Sequence, residues 1–406
     1  MFFRKKKYVA SGSLSRLAWL RFLKNKTGVA ALIIIMLTII VAILGYLITP
    51  DSTPYANTHI LEIGTQKPGF TVNMLQVRKN EPFVTTPLFK KMLYGAPANY
   101  LYIPVEGEPD YNATDITLKV FDADHDGITR SFTYPDIIYP VSPDKVTIKG
   151  DNLTFHLIDG TLKSESASSL KEKAKKQLFK KKYILGTDQF GRDLLSRLII
   201  GTRVSISVGF ISVAISLIVG LFFGAVSGYF RGFIDDVIVW FINVIWSIPT
   251  LLLVIAITFA LGRGFWQIFV AVGLTMWVEV ARVVRGQIIS IREKEFVEAG
   301  FALGYSNTRI IMKHILPNIL SPVIVISAAN FAAAILIEAG LSFLGIGVQP
   351  PMPSWGSMIK EYYSFILLDS AYLAFIPGIA IIILVMAFMM LGNALRDALD
   401  VKVESN

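Results

Sequence analysis

Long runs free of charged residues divide this chain of 406 residues. They fall at 27–49, between Arg203 and Arg231, between Asp236 and Arg263, and at 264–278, 315–337 and 370–395. A helix needs about 20 residues to cross the hydrocarbon core of a bilayer. Five of the runs meet that length. The fourth does so only if Glu279 and Arg282 sit near the headgroups and snorkel. The pattern predicts an all-α polytopic membrane protein with spans at 27–49, 204–229, 237–261, 264–282, 317–338 and 371–393.

Basic residues in the short loops orient the spans. Arg4, Lys5, Lys6, Lys7, Arg16, Arg21, Lys24 and Lys26 precede the first. Arg282, Arg285, Arg292, Lys294, Arg309 and Lys313 lie between the fourth and fifth. The short loops of the other side carry only Arg263 and Lys360. Both termini, an amphipathic segment 1–26 and a tail 394–406, are therefore expected in the cytoplasm, which an even number of spans requires. The apolar stretch at 27–49 is too long for a signal core and has no small-residue exit, so it is expected to be a retained span.

Within the spans, Pro249 and Pro377-Gly378 are expected to kink their helices. Ser212, Ser216, Gly220, Gly224 and Gly228 recur every fourth residue, which places small residues on one helix face. Their expected role is close packing within this chain, the alternative being contact with a second subunit.

Between the first and second spans, 50–182 is polar and long enough for a small domain outside the membrane. Alternating runs at 116–121, 145–149 and 153–158 predict strands, so the insert is expected to be β-rich. Residues 163–182 are rich in Ser, Lys and Ala and predict a basic helix or tether at the membrane surface. Residues 183–203 are assigned to a membrane-surface segment.

Composition agrees with these spans: 53% of residues are hydrophobic and 17% charged, against about a quarter charged in soluble domains. The net charge of +9 fits basic residues flanking spans and attracting anionic lipid, not nucleic acid. With no cysteine, disulfides, thiol nucleophiles and Cys-ligated metals are excluded.

Candidate chemistry is sparse. Asp122, Asp124 and Asp126 precede Gly127 with the spacing that opens a calcium loop, but the twelfth position is Thr133 instead of Glu. A solvated Asp-rich turn is the plainer reading. His59, His125, His156 and His314 fall in no catalytic or metal-binding pattern. No G-x-x-x-x-G-K-[ST] phosphate loop occurs, so ATP-driven work would need another polypeptide. Glu338, at the edge of the fifth span, is a functional candidate by position; a pair with Arg192 or Arg197 is its plainer reading. Asp188, Arg192 and Asp193 read as a charged surface helix that fixes loops.

The loop at 286–316 is the most informative segment. Phe296, Ala299, Ala302 and Leu303 share a helical face, Gly304 can end that helix, and Ser306 or Asn307 can cap the next. The predicted element is an amphipathic helix, a glycine turn and a second helix, able to dock in a partner's groove or to rest on the membrane.

This loop resembles the EAA motif of binding-protein-dependent ABC import permeases, E-A-A-x3-G-x9-I-x-L-P. Glu298, Ala299, Gly304, Leu316 and Pro317 match it, whereas Gly300 stands for its second Ala and His314 for its Ile. The run Leu185-Gly186-Thr187-Asp188-Gln189-Phe190-Gly191-Arg192-Asp193, with Ser196-Arg197 and Gly201-Thr202-Arg203, is similar to the C-type subunits of dipeptide and oligopeptide permeases. So are the runs at 338–345, 350–356, 19–26 and 395–400. The resemblance covers about 15–50 and 183–401, with 204–401 as the permease core, and leaves the insert out.

The resemblance implies a type I importer permease fold and a division of labour. A homologous second permease shares the path, two ATP-binding cassette subunits bind ATP and magnesium, and an extracytoplasmic solute-binding protein delivers the solute. This chain itself would then hold no cofactor and be no enzyme. Glu298, Ala299, Gly300, Gly304, Leu316 and Pro317 would form the coupling element. Glu298 could pair with a basic group of the ATPase, or merely with Lys294. Peptides are the family's usual cargo, nickel and other small solutes the alternative. An ion-coupled transporter would need ionisable residues inside spans, and those at 27–49, 204–229, 237–261 and 371–393 have none. A membrane receptor would not need six spans.

Overall fold

The structure, a computed structural model, describes residues 14–399 except 124, 125, 144, 145, 150 and 263. The lysine-rich start before Leu14, the tail beyond Leu399, Arg263, and Asp124 with His125 lie outside the described residues.

The chain enters through α1 (Leu14–Lys24) and turns at Asn25 into the first spanning helix, α2 (Lys26–Ile48). Asn25 caps α2 by accepting from the Gly28 amide at 3.0 Å. Phe22 of α1 is buried against Ala394 and Ala398, so the short helix is fixed to the far end of the chain.

The insert then builds two antiparallel sheets. Its elements are β1 (Thr71–Arg78), α3 (Leu88–Tyr94), β2 (Tyr100–Tyr111), β3 (Asp115–Val120), β4 (Thr129–Thr133), α4 (Tyr134–Ile138), β5 (Thr147–Lys149), β6 (Asn152–His156), β7 (Leu162–Ser166), α5 (Ala167–Lys175) and β8 (Leu178–Lys182). The strand orders are β4-β3-β2-β1-β8 and β5-β6-β7. Leu75, Val77, Ile116 and Leu118 of the larger sheet meet Leu153 and Phe155 of the smaller, with Tyr134, Ile137 and Leu170 of α4 and α5 filling the space between them. Alternating strands thus turn one face inward.

The basic segment is no tether. Residues 178–182 pair with β1 from Thr71↔Lys182 to Leu75↔Leu178, and α5 precedes them. Local composition predicted no strand, but the open edge of β1 supplies the hydrogen bonds. The Lys181 ammonium lies 4.9 Å from the Tyr183 ring centre and 5.3 Å from that of Tyr102, and burial pushes its pKa down. Asp124 being outside the described residues, the acidic turn is not fully visible; among the described residues no three His, Asp or Glu gather as a metal site.

The membrane part follows: α6 (Leu194–Phe230), α7 (Gly232–Trp246), α8 (Thr250–Leu261), α9 (Phe265–Arg292), α10 (Glu295–Ala302), α11 (Asn307–Arg309), α12 (Leu320–Phe343), α13 (Trp355–Tyr362) and α14 (Tyr372–Leu399). Among the described residues five helical segments are long and apolar enough to cross a membrane, or six if the bent pair α7–α8 counts as one.

Five spans differ from the sequence expectation. Helix α6 starts at Leu194, not near 204, because Asp193 caps it (Ser196 N to Asp193 Oδ2, 2.9 Å); 194–203 is therefore the first part of that helix. The third span is broken, not kinked: α7 and α8 meet at 94°. Pro249 lacks an amide hydrogen and clashes with the preceding turn. The segment expected to be the weakest span, α9, runs on to Arg292 and is the most enclosed of the five, with 67% of its apolar window buried. Arg282 does not end it at the headgroups, because Arg282 donates to Asn243 at 2.7 Å and Arg285 pairs with Asp235 at 2.6 Å. The fifth and sixth spans also run on, to Phe343 and Leu399.

The small-residue stripe of α6 faces α9. An ideal Cβ on Gly220 would lie 2.8 Å from the Trp277 carbonyl, on Gly224 2.7 Å from that of Ala281, and on Gly228 2.9 Å from that of Arg285. Ser212 donates to the Phe269 carbonyl at 3.0 Å, and Ser216 to Val213 of its own helix at 2.9 Å. The stripe thus joins two helices of one chain. We expect Gly224→Ala to cost about 1–3 kcal/mol by overpacking and to lower the melting temperature of the purified protein in detergent. Gly286→Ala on α9, whose Cβ meets nothing within 4 Å, should leave it unchanged.

Candidate functional site

The α6–α9 pair ends in the predicted elbow. After Arg292 the chain turns into α10, whose Val297 and Gly300 are buried. Val297 joins Ile288, Ile310, Ile315 and Ile319 in one apolar cluster with Tyr229 of α6. The opposite face carries Phe296 and Leu303, 45% and 68% exposed, with Ala299 and Ala302 also exposed. The face expected to be apolar is thus the face turned outward, and it has no partner among the described residues.

A glycine stop ends α10. The Tyr305 amide bonds the Gly300 carbonyl at 3.1 Å and the Gly304 amide that of Phe301 at 2.9 Å, the paired closure that needs a left-handed residue between them. Gly304 supplies it, with φ +72°. Ser306 then caps α11. The loop is pinned from behind: Tyr229 Oη to Asn307 Oδ1 is 2.8 Å, the Arg309 guanidinium lies 3.9 Å from the Tyr305 ring centre, and His314 stacks on Tyr305 at 5.7 Å. Ahead of Pro317 the helix widens into a π turn over Ile310–Ile315, then tightens over Leu316–Ile319, because proline leaves a carbonyl of the preceding turn without its usual donor. Leu316 is half-buried and Pro317 exposed.

Glu298 is exposed and makes no ion pair among the described residues; only its amide meets the Lys294 carbonyl, at 3.2 Å. The local Lys294 pairing is therefore absent. A rigid, protruding helix with apolar anchors and exposed carboxylates can insert into a groove and transmit a displacement without unfolding.

At the opposite end of the bundle, Asp188, Arg192, Asp193 and Arg197 are buried; Asp188 and Arg192 precede α6 and Asp193 caps it, so these three form no surface helix. Arg192 Nε lies 2.6 Å from Asp188 Oδ2, and Arg192 also pairs with Glu361. Arg197 reaches Glu361 at 3.1 Å, and Tyr362 Oη donates to Asp188 at 2.7 Å. Glu361 and Tyr362 on α13 were not visible in the sequence as partners, because some 170 residues separate them from Asp188. This network ties the entry of α6 to the last outer helix and to Asn57 of the insert, 3.3 Å from Arg192 Nη1.

Glu338 does not join it. Its carboxylate is fully buried and accepts from Ser342 Oγ at 2.7 Å, while both arginines are held by Asp188 and Glu361. The Asp235–Arg285 pair near the elbow also escaped the sequence reading; Asp235 takes a second bond from Ser227.

Helices enough for several membrane crossings, joined to a protruding rigid elbow, define a polytopic membrane protein. The family model described as "Binding-protein-dependent transport system inner membrane component" matches residues 220–405, and the "N-terminal TM domain of oligopeptide transport permease C" matches 13–68. Residues 69–219 lie outside both.

Curated relatives agree. The dipeptide transport system permease protein DppC of Alkalihalophilus pseudofirmus is 42% identical over 54% of this chain and 72% of its own length. The oligopeptide permease protein OppC of Haemophilus influenzae is 40% identical over 54% and 70%. The glutathione permease protein GsiD of Pectobacterium atrosepticum is 37% identical over 54% and 73%. A chain of the MetNI methionine ABC transporter aligns with 51% of this chain and 96% of its own at a TM-score of 0.43 and 19% identity. The protein belongs to the family of binding-protein-dependent transport system inner membrane components: it is a multi-pass permease subunit of an ABC importer.

Two outcomes follow from the geometry. Gly304→Ala should cost about 1 kcal/mol through its left-handed backbone, whereas Gly300→Ala should be neutral, its Cβ lying 3.6 Å from Tyr305; proteolysis rates within the elbow would separate them. Glu361→Ala should cost about 2–3 kcal/mol in thermal unfolding, near the lower end for a broken buried pair, since Glu361 is 24% exposed.

Proposed function

We propose that this permease carries peptides inward and is driven through its elbow by a separate ATPase. The observation that carries the reading is α10: a pinned helix that presents Phe296, Ala299 and Leu303, with unpaired Glu298, away from its own bundle. Apolar anchors with one central charge suit a groove on a soluble subunit. Gly300 packs against Tyr305 and Ile310, Gly304 turns the chain, and Leu316 with Pro317 starts the return helix.

The names of the relatives, dipeptide, oligopeptide and glutathione permeases, support a peptide cargo. In this reading a homologous permease lines the other half of the path, two ATP-binding cassette subunits bind ATP and magnesium, and a solute-binding protein delivers from outside. The type I importer fold goes with this arrangement. The elbow and both termini face the cytoplasm, as the basic loop residues favour, and the insert faces outward, where it helps to dock the binding protein. This chain contributes no catalytic group and no cofactor of its own.

The test is uptake of labelled tri-alanine by cells expressing the complete transporter. Phe296→Ala with Leu303→Ala should lower uptake at least about tenfold, the loss of two anchors, and reduce co-purification of the ATPase at an unchanged membrane level. Full uptake, or an ATPase retained in full by the doubly substituted chain, would refute the elbow's role.

A further inference from the structure

The break between α7 and α8 leaves a cavity of about 180 Å³ against α9 and α12. Trp246, Ile248 and Leu253 flank the break, Thr275 and Met276 come from α9, and Ile337 closes the side of α12. Into these largely apolar walls α9 places one carboxylate, Glu279.

Its depth can be read from the packing of α6 on α9. Gly220 lies against the Trp277 carbonyl and Val280, so Glu279 is level with Gly220. Gly220 falls in the middle third of the charge-free run from Arg203 to Arg231. Glu279 is therefore level with the middle third of an apolar run long enough to span a bilayer. A charge at that depth is expensive unless it faces water or a counter-ion.

Among the described residues no cation lies within ion-pair distance of Glu279. Arg282, one turn further on, is turned toward α7, where its guanidinium lies 3.4 Å from the Trp246 ring centre and donates to Asn243 at 2.7 Å. Arg285 is held by Asp235. Among the described residues Glu279 makes no ion pair. It contrasts with Glu338, which is sealed inside the bundle with Ser342 as donor: Glu279 is exposed to the cavity. Broken helices beside a mid-membrane cavity are where transported solutes are held.

We propose that Glu279 is a solute-binding residue of the transport path and engages a protonated amine, such as the amino terminus of a peptide. The walls suit that ligand. An ammonium group at the carboxylate would supply the counter-ion, and Thr275 lines the same space. This assignment rests on the importer reading above and adds to it the charge the solute must carry.

The experiment uses the complete transporter with its binding protein in proteoliposomes, and compares wild type, E279Q and E279D. The readouts are tri-alanine uptake, ATP hydrolysis stimulated by the tri-alanine-loaded binding protein, and recovery of the second permease on purification. The expected result is uptake reduced about tenfold or more in E279Q, equivalent to one lost charge contact. Stimulated hydrolysis and assembly should stay intact, and E279D should keep most of the uptake. Undiminished uptake in E279Q overturns the assignment and leaves the importer reading standing. So does loss of the second permease from the E279Q complex, which would make Glu279 an interface residue, and so does loss of stimulated hydrolysis together with uptake. Failure of the wild type to take up tri-alanine while its ATPase responds overturns the peptide reading, and this assignment with it.

Discussion

Close approach between α6 and α9 is the constraint on which the remaining architecture depends. Backbones can meet this tightly only where Cβ atoms are missing, and Gly220, Gly224 and Gly228 remove them at successive turns. In a membrane, water gives helices no hydrophobic reason to associate, so van der Waals contact at such a seam carries the pairing. The seam sets the height of every residue on α9. It sets Glu279 level with Gly220, brings Arg285 within reach of Asp235 in the first turn of α7, and delivers Arg292 to the point where the elbow begins. The rigidity of the elbow is borrowed from this pair through Tyr229, which holds Asn307.

Polar networks close the two ends of the bundle by different means. At the elbow, short-range devices dominate: a glycine stop, a serine cap and aromatic stacking within some twenty residues. At the insert end, long-range charge pairing dominates. Arg192 and Arg197 share Asp188 and Glu361, joining the entry of α6 to α13. A buried pair contributes little net stability, because desolvation offsets attraction, yet losing one partner is costly. Such a network is better suited to fixing one arrangement of helices than to raising stability. Its position beside Asn57 and Thr187 also fixes the insert: Thr187 meets Ile63 and Gln66, and Tyr372 at the start of α14 donates to Gln66 at 2.7 Å. A displacement of the outer helices would therefore carry the insert with it.

The division between sequence and tertiary structure follows the range of the interactions. Periodicity and charge-free length by themselves determined that the chain is a helical membrane protein, where most spans begin, which face of α6 is small, and that 116–121 and 153–158 form strands. The elbow was equally legible, because a helix stop at Gly304 and a cap at Ser306 are written within a few residues of each other. Only the tertiary structure decided where charged helices end. Arg203 and Arg282 looked like boundaries, but Arg203 donates to the Leu93 carbonyl and Arg282 to Asn243, so α6 and α9 continue through them. It also turned 178–182 into an edge strand, made a right-angled break of a proline kink, and denied Glu298 its neighbour Lys294 and Glu338 the outer arginines Arg192 and Arg197. Local rules reach about one helical turn; pairing energies that join residues a hundred or more positions apart leave no trace in composition or period, and they appear only once the chain is packed.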